Sequence, residues 1–214
     1  MSLPSNNRFS YAELPMACYN MANSIINDIE VFKKYGITIE EMEEFKRKIE
    51  LHNNMETDEE YVGRIMDATI IKNNLSKQLR SQLRMIITWL RTRYTSNTEL
   101  RTRLNISNIY KQPDLKLHET IERAILVFRD LISNADNREA IDNEIDILEQ
   151  INNEFNTTIQ NRLQLQDQRK AAAFKRRKHA NDLYKQLAAY SELGKNIWEN
   201  DVRQKHYLMK RLLK

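Results

Sequence analysis

Glycine and proline are scarce in this chain, and the shortage limits the folds that it can adopt. Only three of its 214 residues are glycine and only three are proline. At an average usage of about 7% Gly and 5% Pro, roughly 25 such residues would be expected. β-Sandwiches, barrels and Rossmann-type folds turn about every 8 to 12 residues and rely on Gly, Pro, Asn and Asp to do so. Asparagine is plentiful here and can serve some turns, but the shortage favours an all-α fold of few, long helices.

The same residues exclude several classes of site. Gly36, Gly63 and Gly194 stand too far apart to form a glycine-rich phosphate loop. Cys18 is the only cysteine, which excludes an intramolecular disulfide and a cysteine-based metal cluster. A single thiol fits a reducing compartment, and it fits a secreted chain without disulfides nearly as well. The first ten residues lack the apolar core of a signal peptide, and no segment approaches the length of about 18 apolar residues that spans a membrane. We therefore expect a cytoplasmic protein.

Capping residues and apolar spacing predict the helices of the first part of the chain. A helix should start near Pro15 and end at Gly36, which can adopt the left-handed conformation that closes a helix. Thr38 and Glu41 form a capping box that opens a helix to about residue 51. A long helix is predicted over 57–94, with Ile71 and Leu75 among the residues of its apolar stripe, followed by a short helical turn over 96–104.

The second part of the chain has its own apolar stripes. Helices are predicted over 117–132 and from Ile141 to Leu163, with a tight joint at 133–136 between them. Beyond Leu163 the stripe weakens, and it resumes at Leu183. We expect a bend at Gly194 and then a last amphipathic helix that carries Trp198 and Tyr207.

The charges alternate along the chain in a way that suggests two similar halves. Residues 1–71 carry a net charge of −6, residues 72–116 +8, residues 117–160 −7 and residues 161–214 +9. Each half has a moderate helix, then an acidic segment, then a long basic one, and Phe32 and Phe128 lie 96 residues apart. We therefore predict an internal duplication with a period of 96–98 residues. The predicted organisation is a flexible N-terminus over 1–10, a first helical half over 11–112 and a second over 113–214, with packing into one domain as the alternative.

The two halves together predict an antiparallel bundle of long helices. A basic edge on the helix over 57–94 and an acidic edge on the corresponding helix of the second half could face each other in that arrangement. The basic edge consists of Lys77, Arg80, Arg84 and Arg91, and the acidic edge of Glu139, Asp142, Asp146 and Glu149. Exposed ion pairs contribute only about 0–1 kcal/mol each, so they would set register while the apolar stripes stabilise the fold.

No catalytic, metal-binding or cofactor-binding constellation is visible in the sequence. None of the four histidines has the spacing of a metal motif, and the pair His118 and Glu122 is expected by chance among so many glutamates. Cys18 lies among apolar neighbours, where a small buried side chain is the simpler interpretation than a nucleophile. We therefore predict that the protein is not an enzyme and that it uses no metal or cofactor.

The strongest candidate binding patch is a basic segment near residues 169–179, where the apolar stripe fails. The patch surrounds Phe174 and consists of Arg169, Lys170, Lys175, Arg176, Arg177 and Lys178. A basic helix without a core face can lie on a phosphate backbone, which makes nucleic acid a candidate partner. Pairing with the acidic blocks of the same chain is the competing interpretation. The apolar and basic residues of 197–213 could also lie on a membrane surface, but a packed terminal helix has the same composition and is commoner, so a membrane partner is disfavoured.

Two short segments resemble a known group of proteins. Residues 33–41, followed by a long helix, and residues 193–198 before Asp201 are similar to uncharacterised, apparently duplicated all-helical proteins of Bacteroidetes. The resemblance covers most of the chain and implies an all-helical, duplicated fold. It carries no function.

The function that the sequence favours is therefore non-enzymatic. We expect a helical structural or interaction protein that binds another protein, or a second copy of itself, through a helix face. The alternative is a nucleic-acid-associated protein that uses the basic patch near 169–179.

Overall fold

The fold was obtained as a computed structural model, which describes residues 9–10, 12–93, 109–132 and 139–213. Every regular element in these ranges is helical, and none of the described residues forms a strand. The predicted all-α class with antiparallel packing of long helices is confirmed. Most of the flexible N-terminus, the helical turn over 96–104 and the joint at 133–136 lie outside the described residues.

The first predicted helix is interrupted. Helix α1 spans Glu13–Asn27, helix α2 spans Ile29–Phe32, and a 3-10 turn follows over Lys33–Tyr35. Ser10 and Glu13 exchange hydrogen bonds as a capping box does, since the Ser10 backbone N–H donates to the Glu13 carboxylate and the Glu13 N–H donates to the Ser10 hydroxyl. Gly36 ends the segment with a φ of 84°, in the left-handed region as predicted.

The remaining helices are long. Helix α3 spans Ile39–Asn53, with the Thr38 hydroxyl accepting from the Glu41 N–H at 3.2 Å, as the sequence predicts for its cap. Helix α4 spans Asp58–Arg93, and helix α5 spans Asp114–Ile132 after a 3-10 turn over Ile109–Lys111. Helix α6 is continuous over Glu139–Ile197, through the stretch where the apolar stripe weakens.

The prediction for the C-terminus is wrong at two points. Gly194 lies inside α6 and makes no bend, and the last amphipathic helix is replaced by 3-10 turns over Val202–Tyr207 and Met209–Arg211. The cause is the fully buried ring of Tyr207, which packs so closely on Gly194 that a Cβ at this position would overlap it. Glycine is required here for close approach and not for a turn.

The chain forms two compact units, each with its own apolar core. The terminal unit combines residues 1–58 with 169–214, and the central unit consists of residues 59–168. The core of the terminal unit is built from α1, α2, α3, the C-terminal part of α6 and the 3-10 turns that follow it. The core of the central unit is built from α4, α5 and the N-terminal part of α6. Each unit therefore takes segments from both sequence halves, 11–112 and 113–214.

The buried positions of the two units recur at a nearly constant distance along the chain. Buried positions of α1 recur 103 residues later in α5, and those of α3 recur 103 residues later in the first part of α6. Buried positions of α4 recur 104 residues later in the last part of α6. The pairs with an offset of 103 are Leu14/Leu117, Ala17/Thr120, Cys18/Ile121, Met21/Ala124, Ala22/Ile125, Ile25/Phe128, Met42/Ile145, Phe45/Leu148 and Ile49/Asn152. The pairs with an offset of 104 are Ser76/Ala180, Leu79/Leu183, Leu83/Leu187, Ile86/Tyr190, Ile87/Ser191 and Leu90/Gly194.

These offsets change the predicted period. Internal duplication stays a prediction, but its period moves from 96–98 to 103–104 residues because burial and not residue identity now sets the alignment. With this predicted period, each unit would contain the first two segments of one predicted repeat and the long third segment of the other.

Candidate interaction surfaces

The basic patch predicted near 169–179 is partly used inside the terminal unit. Arg169 donates from Nε and Nη2 to the two carboxylate oxygens of Asp58, at 2.8 and 2.6 Å. Arg176 lies 3.8 Å from the same carboxylate. The hydrogen bond from Arg169 lowers the pKa of Asp58, and the charges of both arginines act in the same direction. These two residues therefore hold the start of α4 against α6, as the internal-pairing interpretation predicts.

The other basic residues of the patch lie on the exposed side of α6 around an aromatic ring. Lys170, Lys175, Arg177 and Lys178 are exposed, and the side chain of Phe174 is 70% exposed. Lys170 and Arg177 also interact with other groups of the protein. Lys175 follows Phe174 directly and Lys178 lies one helical turn further on, so this surface offers an aromatic face beside two ammonium groups.

Two histidines lie beside the patch. The rings of His52 and His179 stack at 5.7 Å with an interplanar angle of 9°. Neither Nδ1 atom has a hydrogen-bond partner among the described residues. Burial is the main cause that lowers the pKa of each histidine. The positive charge of Arg176 adds to this effect at His52, and Lys48 and Lys175 add to it at His179, where Asp182 opposes it.

A second surface lies on α4 and was not identified from the sequence. The side chains of Met66 and Ile70 are 60% and 56% exposed, although both are large and apolar. Gly63 precedes Met66 by about one turn and Ile70 by about two, and a Cβ at this position would have open space around it. At about 100° per residue these three residues share one side of α4, opposite the buried positions Leu75 and Leu79. We call this side, from Glu59 to Arg84, the outer face of α4.

Two residues of the predicted apolar stripes are exposed in the structure. Ile71, expected in the core stripe of α4, is 53% exposed, and Leu163, expected in the stripe of α6, is 41% exposed. Ile71 and Leu75 instead line an open groove of about 680 Å³ together with residues of α6 such as Thr158. The one sequence signal for the outer face was Gly63, a residue inside a helix for which the core offers no reason.

The acidic edge of α6 has a different partner from the one predicted. Arg129 of α5 donates to Asp146 at 2.8 Å and to Glu149 at 2.6 Å. Arg80 of α4 donates instead to the Ile109 carbonyl and to Ser76. The hypothesis that the basic edge of α4 faces the acidic edge of α6 is therefore wrong for these residues, since α5 supplies the cation.

The candidate catalytic groups from the sequence are separate from one another. Cys18 is fully buried, and burial raises the pKa of its thiol to about 12. His118 Nε2 lies 3.3 Å from Glu122 Oε1, one helical turn along α5. Within the described ranges, no three His, Cys, Asp or Glu side chains are grouped so that they could hold a metal ion. Every helix in these ranges is too short or too polar to cross a membrane.

Comparison with known proteins adds no assignment. No protein-family model, no curated protein and no solved structure matches this chain. The resemblance to duplicated helical proteins stays a prediction, and the proposals below rest on the geometry of the two surfaces.

Proposed function

We propose that this chain is a non-enzymatic, cytoplasmic interaction protein that binds another protein through the outer face of α4. The observation that carries the proposal is the exposure of Met66 and Ile70, at 60% and 56%, on successive turns of one helix face. Transfer of a large apolar side chain from water into an interface contributes about 1.5–3 kcal/mol, so a partner that covers both residues gains substantially.

Gly63 supports the same face. Glycine inside a helix is about 1 kcal/mol less favourable than alanine, and open space around Gly63 leaves room for a side chain. A glycine on an exposed helix face lets another backbone approach closely. A partner that packs on this face gives a reason for a residue that the fold alone does not require.

The state of Cys18 supports one part of the non-enzymatic proposal, namely that this cysteine is not a catalytic nucleophile. A cysteine nucleophile must reach its thiolate form, and the raised pKa of about 12 keeps the Cys18 thiol protonated near neutral pH. Its burial fits the role of a small core side chain.

Site-specific photo-crosslinking in the native cell tests the proposal. A benzophenone amino acid at position 66 should give a crosslinked protein product, and the same probe at Leu126 should not. Leu126 is the matched control because its side chain is 69% exposed on a different helix of the same unit. Ile70→Glu should remove the product from position 66. Equal products from both positions would contradict the proposal.

A second candidate function is nucleic-acid binding by the exposed side of α6. The observation in its favour is Phe174, which is 70% exposed on the same part of α6 as the exposed Lys175 and Lys178. Bases stack on aromatic side chains, with about 1–3 kcal/mol per base, and ammonium groups contact the phosphates.

Single-stranded DNA binding measured over a range of salt concentrations tests this candidate. Lys175→Glu/Lys178→Glu should abolish binding, and Phe174→Ala should weaken it with little change in the salt slope. Lys185→Glu, an exposed residue further along α6, is the control. The two arginines that contact Asp58 are left intact so that the variants report on binding and not on folding. No binding of the unaltered protein near physiological salt would remove this candidate.

A further inference from the structure

The charges on the outer face of α4 are arranged symmetrically about one point. Its N-terminal part carries Glu59 and Asp67, and its C-terminal part carries Lys77 and Arg84, all of them exposed. The midpoint of Asp67 and Lys77 is residue 72, and the midpoint of Glu59 and Arg84 lies between residues 71 and 72. A face with this pattern is complementary to its own copy when the two run in opposite directions.

The uncharged residues of the face have the same midpoint. Gly63 and Ser81 lie at equal distances from residue 72 along the sequence, and so do Ile70 and Asn74. All four residues are exposed. Two small residues would therefore meet at each end of a pair of such faces, where they allow the backbones to approach. Ile70 and Met66 would lie near the centre, where burial is greatest.

We infer that the partner of this face is a second copy of the same chain, with the two α4 helices antiparallel and the two-fold axis at the level of residue 72 along each helix. The inference rests on the proposed function and names its partner. An isologous contact of this kind uses the same patch on both subunits. The acidic part of each copy would meet the basic part of the other copy, which gives two such contacts per dimer, whereas a parallel pair would place like charges together.

Other partners fit the face less well. A nucleic acid carries negative charge along its whole length and would be repelled by Glu59 and Asp67. A uniformly basic helix would be repelled by Lys77 and Arg84. The face from Glu59 to Arg84 is about 38 Å long and one helix wide, so a pair of such faces is smaller than a standard stable interface. We therefore expect weak, concentration-dependent dimerisation that high salt reduces further.

Sedimentation velocity on the full chain tests the inference by charge exchange. Asp67→Lys and Lys77→Glu should each weaken dimerisation about tenfold or more, because each creates two like-charged contacts. An equimolar mixture of the two variants should restore a dimer, since the exchanged charges become complementary. Glu192→Lys, an exposed charge reversal in the terminal unit, is the control and should change nothing.

The apolar centre and the orientation have separate tests. Ile70→Glu should abolish the dimer, while Leu126→Glu should leave it intact. A spin label at Thr88→Cys should report a distance of about 48 Å along the axis in the antiparallel dimer and a much shorter one in a parallel dimer. Buried Cys18 should not compete for the label.

The outcomes separate this inference from the proposed function. A protein that stays monomeric at high concentration, or a dimer that Leu126→Glu disrupts and Ile70→Glu does not, would overturn the inference. A short Thr88 distance would also overturn it. If position 66 then crosslinks to a different protein, the proposed function stands without self-association.

Discussion

The two compact units share a set of buried positions but fill several of them differently. Position 49 of the terminal unit is isoleucine, and position 152, 103 residues later in the central unit, is asparagine. His52 and His179 stack in the terminal unit, while the matching positions in the central unit are the core residues Phe155 and Leu75. Leu90 of the central unit corresponds to Gly194 in the terminal unit, where Tyr207 takes the space.

The outer faces of the long helices differ in the same way. At an offset of 104 residues, Met66 and Ile70 of α4 correspond to Lys170 and Phe174 of α6. Ile70 and Phe174 are both more than half exposed. Helical periodicity thus sets which positions are buried, while the side chains at matched positions set local stability, pH response and the kind of partner.

The largest expected effect on stability comes from removing the side chain of Tyr207, which packs only in the core of the terminal unit. Tyr207 is fully buried, and its hydroxyl donates to the Ser24 carbonyl at 2.9 Å or to Asp28 at 2.7 Å. Tyr207→Ala should lower the free energy of unfolding by about 3–5 kcal/mol, because it leaves a cavity the size of a ring. In this variant the exchange rate of the backbone amide hydrogens should increase in α1 and stay unchanged in α5. Tyr207→Phe, which keeps the ring, should show a smaller loss; equal losses would mean that packing on Gly194 contributes little.

The two helical glycines should respond in opposite directions to alanine. Gly194→Ala places a Cβ in the Tyr207 ring and should destabilise the protein by about 1–3 kcal/mol. Gly63→Ala meets open space and should stabilise the chain by about 0.5–1 kcal/mol, while it weakens binding at the outer face. Chemical denaturation of both variants measures the difference. A stable Gly194→Ala variant would show that Tyr207 can move away at little cost.

Replacing Asn152 by the residue of the matching position should stabilise the central unit. Asn152 is 1% exposed, and its Oδ1 atom has no hydrogen-bond partner among the described residues. Asn152→Ile, which copies Ile49, should raise the free energy of unfolding by about 1–2 kcal/mol because it removes a buried unpaired oxygen. Asn152→Asp is the control and should destabilise. A loss of stability in Asn152→Ile would contradict this prediction.

The stacked histidines should make the terminal unit sensitive to acid. Their pKa values are lowered in the folded state, so the unfolded chain binds more protons in the range below the ordinary value of 6.5. Stability is therefore fully present above this value and is lost as the pH falls through the folded pKa values. Thermal unfolding between about pH 7.5 and 5.5 should show a drop that His52→Phe/His179→Leu, the residues of the central unit, reduces. An identical pH dependence in the double variant would assign the drop to other groups.

Much of the fold follows from local patterns. The cap at Thr38, the left-handed Gly36 and the long helix over 57–94 each depend on neighbouring residues, and all three predictions are confirmed. Gly194 was misassigned because the residue that requires it, Tyr207, lies 13 positions away and contacts it only in the folded chain. The same reason applies to Arg129, which pairs with Asp146 and Glu149 through a packing arrangement that no local pattern encodes.

The candidate surfaces were predictable to a smaller extent. The basic segment near 169–179 could be found from composition. Its ion pair with Asp58 could not be predicted, because Asp58 lies 111 residues from Arg169 in the sequence. Ile71 was assigned to the core from spacing alone, whereas only packed helices show which side of α4 stays exposed. The exposure of Met66 and Ile70 could likewise be recognised only from the packed helices.

The terminal unit is built from two segments that are distant in sequence, and this determines when it can fold during synthesis. Residues 1–58 leave the ribosome before residues 169–214, which supply the helix segment and the Tyr207 ring that cover them. The central unit, residues 59–168, is complete before that segment appears. The apolar faces of α1 and α3 must therefore wait for the rest of the chain, and during that time they are exposed to aggregation and to chaperones.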